Sequence, residues 1–269
     1  MQRRTFLALC MATMACGCSG AVHRLPMASD GEVAAALAEV RSSGDGLRYR
    51  HASDEEVGET LRAVVDRVRG PALQVCQEIG AGVCNWQFRV ARDRRFNAAA
   101  WPHGVIVLNR GLVDYAANEE ELAMVIAHEI AHQAANHVAR GQRNQIIGTM
   151  IGGALLGAAA MAGTHGQQGS AQTTRIAMDV GMQLGAHAGH LAYSKEQERE
   201  ADYLAALILY RAGIDLEKAR GVLLAMARSS HRTETTILDS HPVGPERLAA
   251  WDRAVAEIRA SGGQLPPRA

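Results

Sequence analysis

The chain has no excess of either charge: 28 lysines and arginines balance 28 aspartates and glutamates in 269 residues. The basic stripe that tracks a nucleic-acid backbone is therefore missing, and no nucleic-acid partner is expected. Cysteine is scarce as well. Of five cysteines, Cys10, Cys16 and Cys18 fall at the extreme N-terminus, which leaves Cys76 and Cys84 as one even pair. Nor is there an apolar run of the quality that a membrane span needs. The candidate is the uncharged stretch 146–163; its eighteen residues barely reach that length, and five of them are glycine, which weakens hydropathy and helix propensity together. A mobile or protein-packed hairpin near the functional cleft is the first expectation for it, a segment dipping into a membrane surface the second, and a true span the last.

Residues 1–18 carry Arg3 and Arg4, an apolar run from Phe6 to Ala15, then small residues and cysteines. That order is an export signal rather than part of a fold. Arg3-Arg4-Thr5-Phe6-Leu7 resembles a twin-arginine signal, but Gln2 and Ala8 depart from the fuller pattern, so the general secretory route is the default. Cys18, after Gly17, stands where a bacterial lipoprotein signal places its lipidated cysteine; Cys16 is the alternative, and an ordinary cleaved signal is the bland reading. Lipidation would attach the protein to a membrane without a spanning helix, and the expected location is the periplasm, on the outer membrane. In that oxidising compartment Cys76 and Cys84 are expected to pair and close a short loop. Without Arg3 and Arg4 the remaining chain is slightly acidic, which argues against a polybasic membrane patch.

Residues 19–52 read as an arm or linker, with a helix over Glu32–Val40 and a break at Ser42–Gly46. A helix starts at Ser53, lines up Val57, Leu61, Val64, Val65 and Val68 on one face, and is expected to end at Gly70-Pro71 before a short helix over Leu73–Ile79. Asn85–Ala91 alternates Trp86, Phe88 and Val90 with polar residues, a half-buried strand. Asn97–Trp101 leads through the turn Pro102-His103-Gly104 into a second strand, Val105–Leu108. The fold class is therefore mainly α with a small β-sheet (α+β). One domain is expected over 53–260, followed by a flexible tail, 261–269.

Asn118–Arg140 reads as one helix, capped by Asn118 with Glu121 at the capping-box position. It contains HEIAH, residues 128–132. Four residues make slightly more than a turn, so His128 and His132 project from one face, close enough to share a metal ion, while Glu129 is rotated toward a water on that metal. This is the zinc-hydrolase signature. A catalytic zinc takes three protein ligands and keeps a position open, so a third ligand must lie downstream. Ser194–Gly213 supplies it: a helix with Ser194 as N-cap, Gln197 at the capping-box position and Gly213 as terminator. Glu196 and Glu200 are expected to be a solvated acidic start. Glu198 and Asp202 share a face beside the apolar stripe Tyr203–Leu209, which suits a ligand with a supporting carboxylate.

HEIAH, followed by EREAD before an apolar helix, resembles the HtpX/BepA-like zinc metallopeptidases, gluzincins related to the CAAX prenyl proteases. The resemblance runs from about Ser53 to Ala260. Asn97-Ala98-Ala99, then His103-Gly104-Val105-Ile106-Val107 and Gly111-Leu112, are similar to the family's segment bordering the substrate cleft. Ala99 stands where the family has phenylalanine, and Pro102-His103-Gly104 replaces Pro-Gly-Gly. The resemblance implies a zincin-like fold built on the HExxH helix and one Zn2+ per chain held by His128, His132 and Glu198. It further implies Glu129 as general base, Asp202 orienting a ligand histidine, and His137 in a supporting or structural place. Val105, Ile106, Val107 and Leu108 would be the edge to which a substrate strand adds. Ser240-His241-Pro242 resembles the family's C-terminal His-Pro segment; His241, with Tyr193 second, is the candidate oxyanion donor, or else His241 closes the fourth zinc position as a latch. The implied function is a zinc-dependent endopeptidase of the bacterial envelope acting on unfolded or misassembled proteins, in possible association with the envelope assembly machinery. The alternative is an assembly or chaperone factor with a latent or structural zinc site.

Overall fold

The computed structural model describes residues 21–42, 44, 47–163, 175–176, 178–180, 193–229, 241 and 243–269. The export signal at 1–18 lies outside the described residues, as do His165, His187 and His190, singly placed histidines that as a type are more often surface or core residues than ligands.

Local chemistry sets most element starts. Ser29 caps α1 (Asp30–Arg41) in a capping box with Glu32, and Ser53 caps α2 (Asp54–Ile79) by accepting the Glu56 amide. The helix expected to end at Gly70-Pro71 does not end there. Pro71 withholds one helical hydrogen bond, but the apolar stripe continues beyond it through Ala72, Val75, Cys76 and Ile79, all buried. Tertiary burial carries the helix to Gly80, whose left-handed φ of 62° stops it. Cys76 and Cys84 form the expected disulfide, pinning the end of α2 to the loop that follows. In that loop Gly82 presses against the Gln133 and Ala134 carbonyls, where any Cβ would collide.

The sheet is three strands, β1 (Gln87–Ala91), β2 (Ala98–Trp101) and β3 (Val105–Asn109), in the order β1-β3-β2. β1 pairs with β3 in parallel, Phe88 opposite Ile106; β2 pairs antiparallel, Ala100 opposite Ile106. The expectation that Val105–Leu108 forms the free edge is therefore corrected. Both sides of β3 are already hydrogen-bonded, and the edges belong to β1 and β2. A 3-10 turn, Pro102–Gly104, joins β2 to β3, and His103 there has φ 62°, a conformation that costs a residue with a Cβ where the family carries glycine.

After the short α3 (Gly111–Tyr115), α4 (Glu119–Ala134) is buried from Glu121 onward. It packs against α2, β2 and the later helices α6 (Lys195–Arg211) and α7 (Leu216–Ser229), the setting in which a helix is apolar on all sides. Asn118 accepts the Glu121 amide, while the Glu121 carboxylate bonds the Ala117 amide rather than the cap's own. The single helix expected over Asn118–Arg140 is broken: Asn136 takes φ 60° and α5 (His137–Gly163) starts in a new direction. Residues 146–163 lie within α5, so they continue a helix rather than fold as a hairpin. No described helix is long and apolar enough to cross a membrane.

α1 packs on α8 (Pro245–Ser261), and residues 22–24 run beside 267–269, with Arg24 N–H donating to Pro267 O at 2.8 Å and Ala269 N–H to Val22 O at 2.9 Å. Backbone pairing ties residues 22–24 to residues 267–269.

Losing the disulfide removes a short loop constraint from the unfolded chain. Cys84→Ser is expected to lower the unfolding free energy by about 2–3 kcal/mol in a denaturant titration. Equal midpoints with and without reductant would contradict this.

Candidate metal centre

Two helices carry the core of the site. From α4, His128 and His132 rise one turn apart; from α6, Glu198 enters from the opposite side, its helix start set by the capping box of Ser194 and Gln197. His241, just before α8, joins them. Ligand atoms of His128, His132, Glu198 and His241 all lie within 4.8 Å of one another, and all four residues are buried. His132 Nε2 is 3.0 Å from His128 Nε2, and His241 Nδ1 is 3.2 Å from His128 Nε2 and 2.9 Å from Glu198 Oε1. Ring lone pairs brought this close need a proton or cation among them. Two imidazoles and a carboxylate, with a third imidazole beside them, are a donor set that fits a zinc-type ion.

The ring nitrogens facing away from this point are held too. Asp202 Oδ1 lies 2.9 Å from His128 Nδ1, in ionic contact but off the line of an aligned hydrogen bond. His132 Nδ1 meets His137 Nδ1 at 2.9 Å, because the break at Asn136 swings His137 back over α4. Tyr193 stacks on the His132 ring at 3.8 Å. Arg247, buried on α8, binds both oxygens of Asp202 at 2.7 and 2.8 Å, reaches Glu198 Oε2 at 2.7 Å and donates to His241 O at 3.2 Å.

These contacts settle the charges. Burial alone would lower the His128 imidazole, yet the Asp202 and Glu198 carboxylates carry it up to about 9. Burial keeps His132 well below the ordinary imidazole range and lowers His137. Burial would raise Glu198, but the nearby His241 and Arg247 hold it well below the usual carboxylate range. Burial, with Glu129 and Glu198 near, pushes the Tyr193 phenol up, so it stays protonated. Glu129 is wholly buried, and neither of its oxygens has a hydrogen-bond partner among the described residues; the His241 Nε2 atom stands 3.5 Å away.

Three residues escaped the sequence reading. Glu200, expected in solvent, is fully buried and bonds His137 Nε2 at 2.9 Å and His23 Nδ1 at 2.7 Å. Glu196, by contrast, is exposed. A cue existed: Glu200 falls at the helical spacing of Leu204, Leu207 and Ile208, inside the apolar stripe. Arg247 likewise shares the face of Trp251, Ala254 and Ile258. His23 gave no local cue.

With fold and site in view, comparison with known families matches residues 62–255 to Peptidase family M48, and the chain belongs to that family. Among similar proteins, the "Beta-barrel assembly-enhancing protease" of Escherichia coli O157:H7 is 34% identical over 175 residues, 61% of this chain and 33% of that protein. "Mitochondrial metalloendopeptidase OMA1" of Arabidopsis thaliana is 27% identical over 163 residues, 61% of this chain and 30% of the relative. "Metalloprotease LoiP" of Escherichia coli K12 is 26% identical over 249 residues, 91% of this chain and 93% of the relative. The chain thus spans about a third of the length of the first of these and nearly all of the last.

The buried Glu200 carries a pH consequence. Burial opposes its charge, but the His137 and His23 hydrogen bonds prevail and hold it at about 2 against an ordinary 4.5. A depressed carboxylate stabilises the fold above its unfolded value and loses that contribution as pH falls toward the folded one. Between pH 4.5 and 2 thermal melts should show a decline worth roughly 3 kcal/mol. Glu200→Gln is expected to remove that part of the slope.

Proposed function

We propose that the chain is a zinc-dependent endopeptidase of the bacterial envelope, exported, lipid-anchored at Cys18 or Cys16 on the periplasmic side of the outer membrane, and acting on misfolded or unassembled envelope proteins. Glu129 carries the reading. A carboxylate buried with no hydrogen-bond partner among the described residues is costly, and a structural metal site has no use for it; a hydrolase does. The relatives' names, one a protease enhancing β-barrel assembly and two metallopeptidases, support the substrate class and the possible assembly-machinery partner.

His128, His132 and Glu198 would hold the zinc. When bound, zinc supplies Lewis-acid polarisation of the scissile carbonyl and a lowered pKa for water. Glu129 takes a proton from the attacking water on its free carboxylate and passes it to the leaving amine. Asp202 and His137 orient the two ligand rings from behind. Tyr193, a protonated phenol beside His132, is placed to donate toward the developing oxyanion.

The substrate edge moves from Val105–Leu108 to β2, the edge strand packed on α4. Asn109 N–H bonds Asn97 O at 3.1 Å, so antiparallel alternation turns the backbone groups of Ala98 and Ala100 away from β3; Ala98 is buried, and the partly exposed Ala100 is the open position. An extended substrate would pair there, on alanines small enough to let a main chain approach, and main-chain pairing tolerates varied sequences. Gln133 on α4 braces this hairpin, donating to Trp101 O at 2.5 Å.

The position of His241 favours a second element, latency. Its Nδ1 lies among the ligand atoms rather than beyond them, as expected of a side chain that closes the fourth position until substrate displaces it.

Glu129→Gln should keep zinc and lose peptide hydrolysis by about a hundredfold or more; full activity would remove the base. Glu198→Ala should lose both, and normal zinc content in that variant would point to another ligand. For His241→Ala, casein hydrolysis above wild type supports the latch, whereas a fall with zinc retained makes His241 a participant in turnover.

A further inference from the structure

Glu200 belongs to no step above, yet its carboxylate is saturated from a distant part of the chain. Oε1 accepts from Val22 N–H at 2.8 Å, His23 N–H at 2.9 Å and His23 Nδ1 at 2.7 Å. Oε2 accepts from Val22 N–H at 2.9 Å and His137 Nε2 at 2.9 Å, with Arg140 at 3.8 Å. Ionised carboxylates only accept, so the facing nitrogens, His23 Nδ1 and His137 Nε2, carry the protons. His137 then turns a bare Nδ1 to His132, and His132 Nδ1, 2.9 Å away, must be the donor. Its other nitrogen, Nε2, is thereby left with a lone pair pointing into the donor cluster. The reverse tautomer would place a proton there and bar a metal.

We propose that residues 21–24 are a positioning strap for the metal centre: Val22 and His23 fix Glu200, and Glu200, through His137, holds His132 in the one tautomer that can bind metal. The inference rests on the metal-centre reading above. The strap lies outside the region matched to the family and reaches the site across 178 positions of sequence. Its own outer side is tied to Pro267 and Ala269, so it is clamped between the C-terminal segment and the buried carboxylate. Without it Glu200 loses the Val22 and His23 donors that fix the plane of its carboxylate, and a carboxylate free to turn no longer holds the His137 ring, and through it His132, in one orientation. Val22 and His23 are positioning residues; they touch neither metal nor substrate.

The test uses the mature wild type, His23→Ala and His23→Asn, whose amide can still donate to Glu200. Three quantities are read: zinc retention against a chelator, the rise in melting temperature that zinc confers, and kcat and KM separately on a peptide. Expected for His23→Ala are about tenfold weaker zinc retention, a smaller zinc-dependent rise in Tm and a lower kcat at unchanged KM, with His23→Asn recovering most of each. Zinc retention equal to wild type overturns the strap, as does an equal fall in Tm with and without zinc, which would mark a purely structural role. Zinc retention is read without any cleavage, so a protein that binds zinc but cuts nothing, both as wild type and as His241→Ala, removes the peptidase reading and leaves the strap to be judged on its own.

Discussion

The structure depends on keeping Asp202, Arg247 and Glu198 charged together out of water. Arg247 grips both Asp202 oxygens and one of Glu198, a planar fork matched to carboxylates. Removing one partner from such a buried pair costs about 3–5 kcal/mol, because the remaining charge is stranded. The same fork does more than neutralise. It joins α8 to α6, and its bond to His241 O draws the segment before α8 over the site. Glu198, a candidate ligand, stays ionised because His241 and the Arg247 cation sit beside it. That is the state a metal needs.

The remaining polar groups extend this balance in two directions. Asp202 lies in ionic contact with His128 on one side; on the other, Glu200 reaches His132 through His137. Both histidine rings of the HEIAH motif are thus backed by carboxylates, one directly and one through an intervening ring. The break at Asn136 makes the second route possible, since a straight continuation of α4 would carry His137 away from His132. Rigid helices hold the donor cluster, and β2 is an edge strand packed beside α4.

Much of the centre was legible in the sequence. HEIAH, the spacing of Glu198 and Asp202, and the caps Ser53, Asn118 and Ser194 rest on interactions within one or two turns of helix, and short-range periodicity encodes those directly. The resemblance to a metallopeptidase family added His241 and His137, whose distances to the ligands no local pattern carries. The disulfide followed from cysteine arithmetic together with the oxidising compartment that the export signal implies. The continuation of α2 through Pro71 was illegible because burial of Ala72, Val75 and Ile79 against other elements outweighs a local breaker.

What the sequence by itself determined is therefore the set of donors and the helices that bear them: two histidines one turn apart, a glutamate between them, and a second helix presenting a carboxylate pair. The tertiary structure alone decided which strand is the edge, that Glu200 and Arg247 are buried, and that residues 21–24 close on a carboxylate far along the chain. Each of these is a choice of partner between distant segments. Helical and strand periods state which face a residue occupies, but not what that face meets, and a buried charge acquires its role only from the groups packed against it.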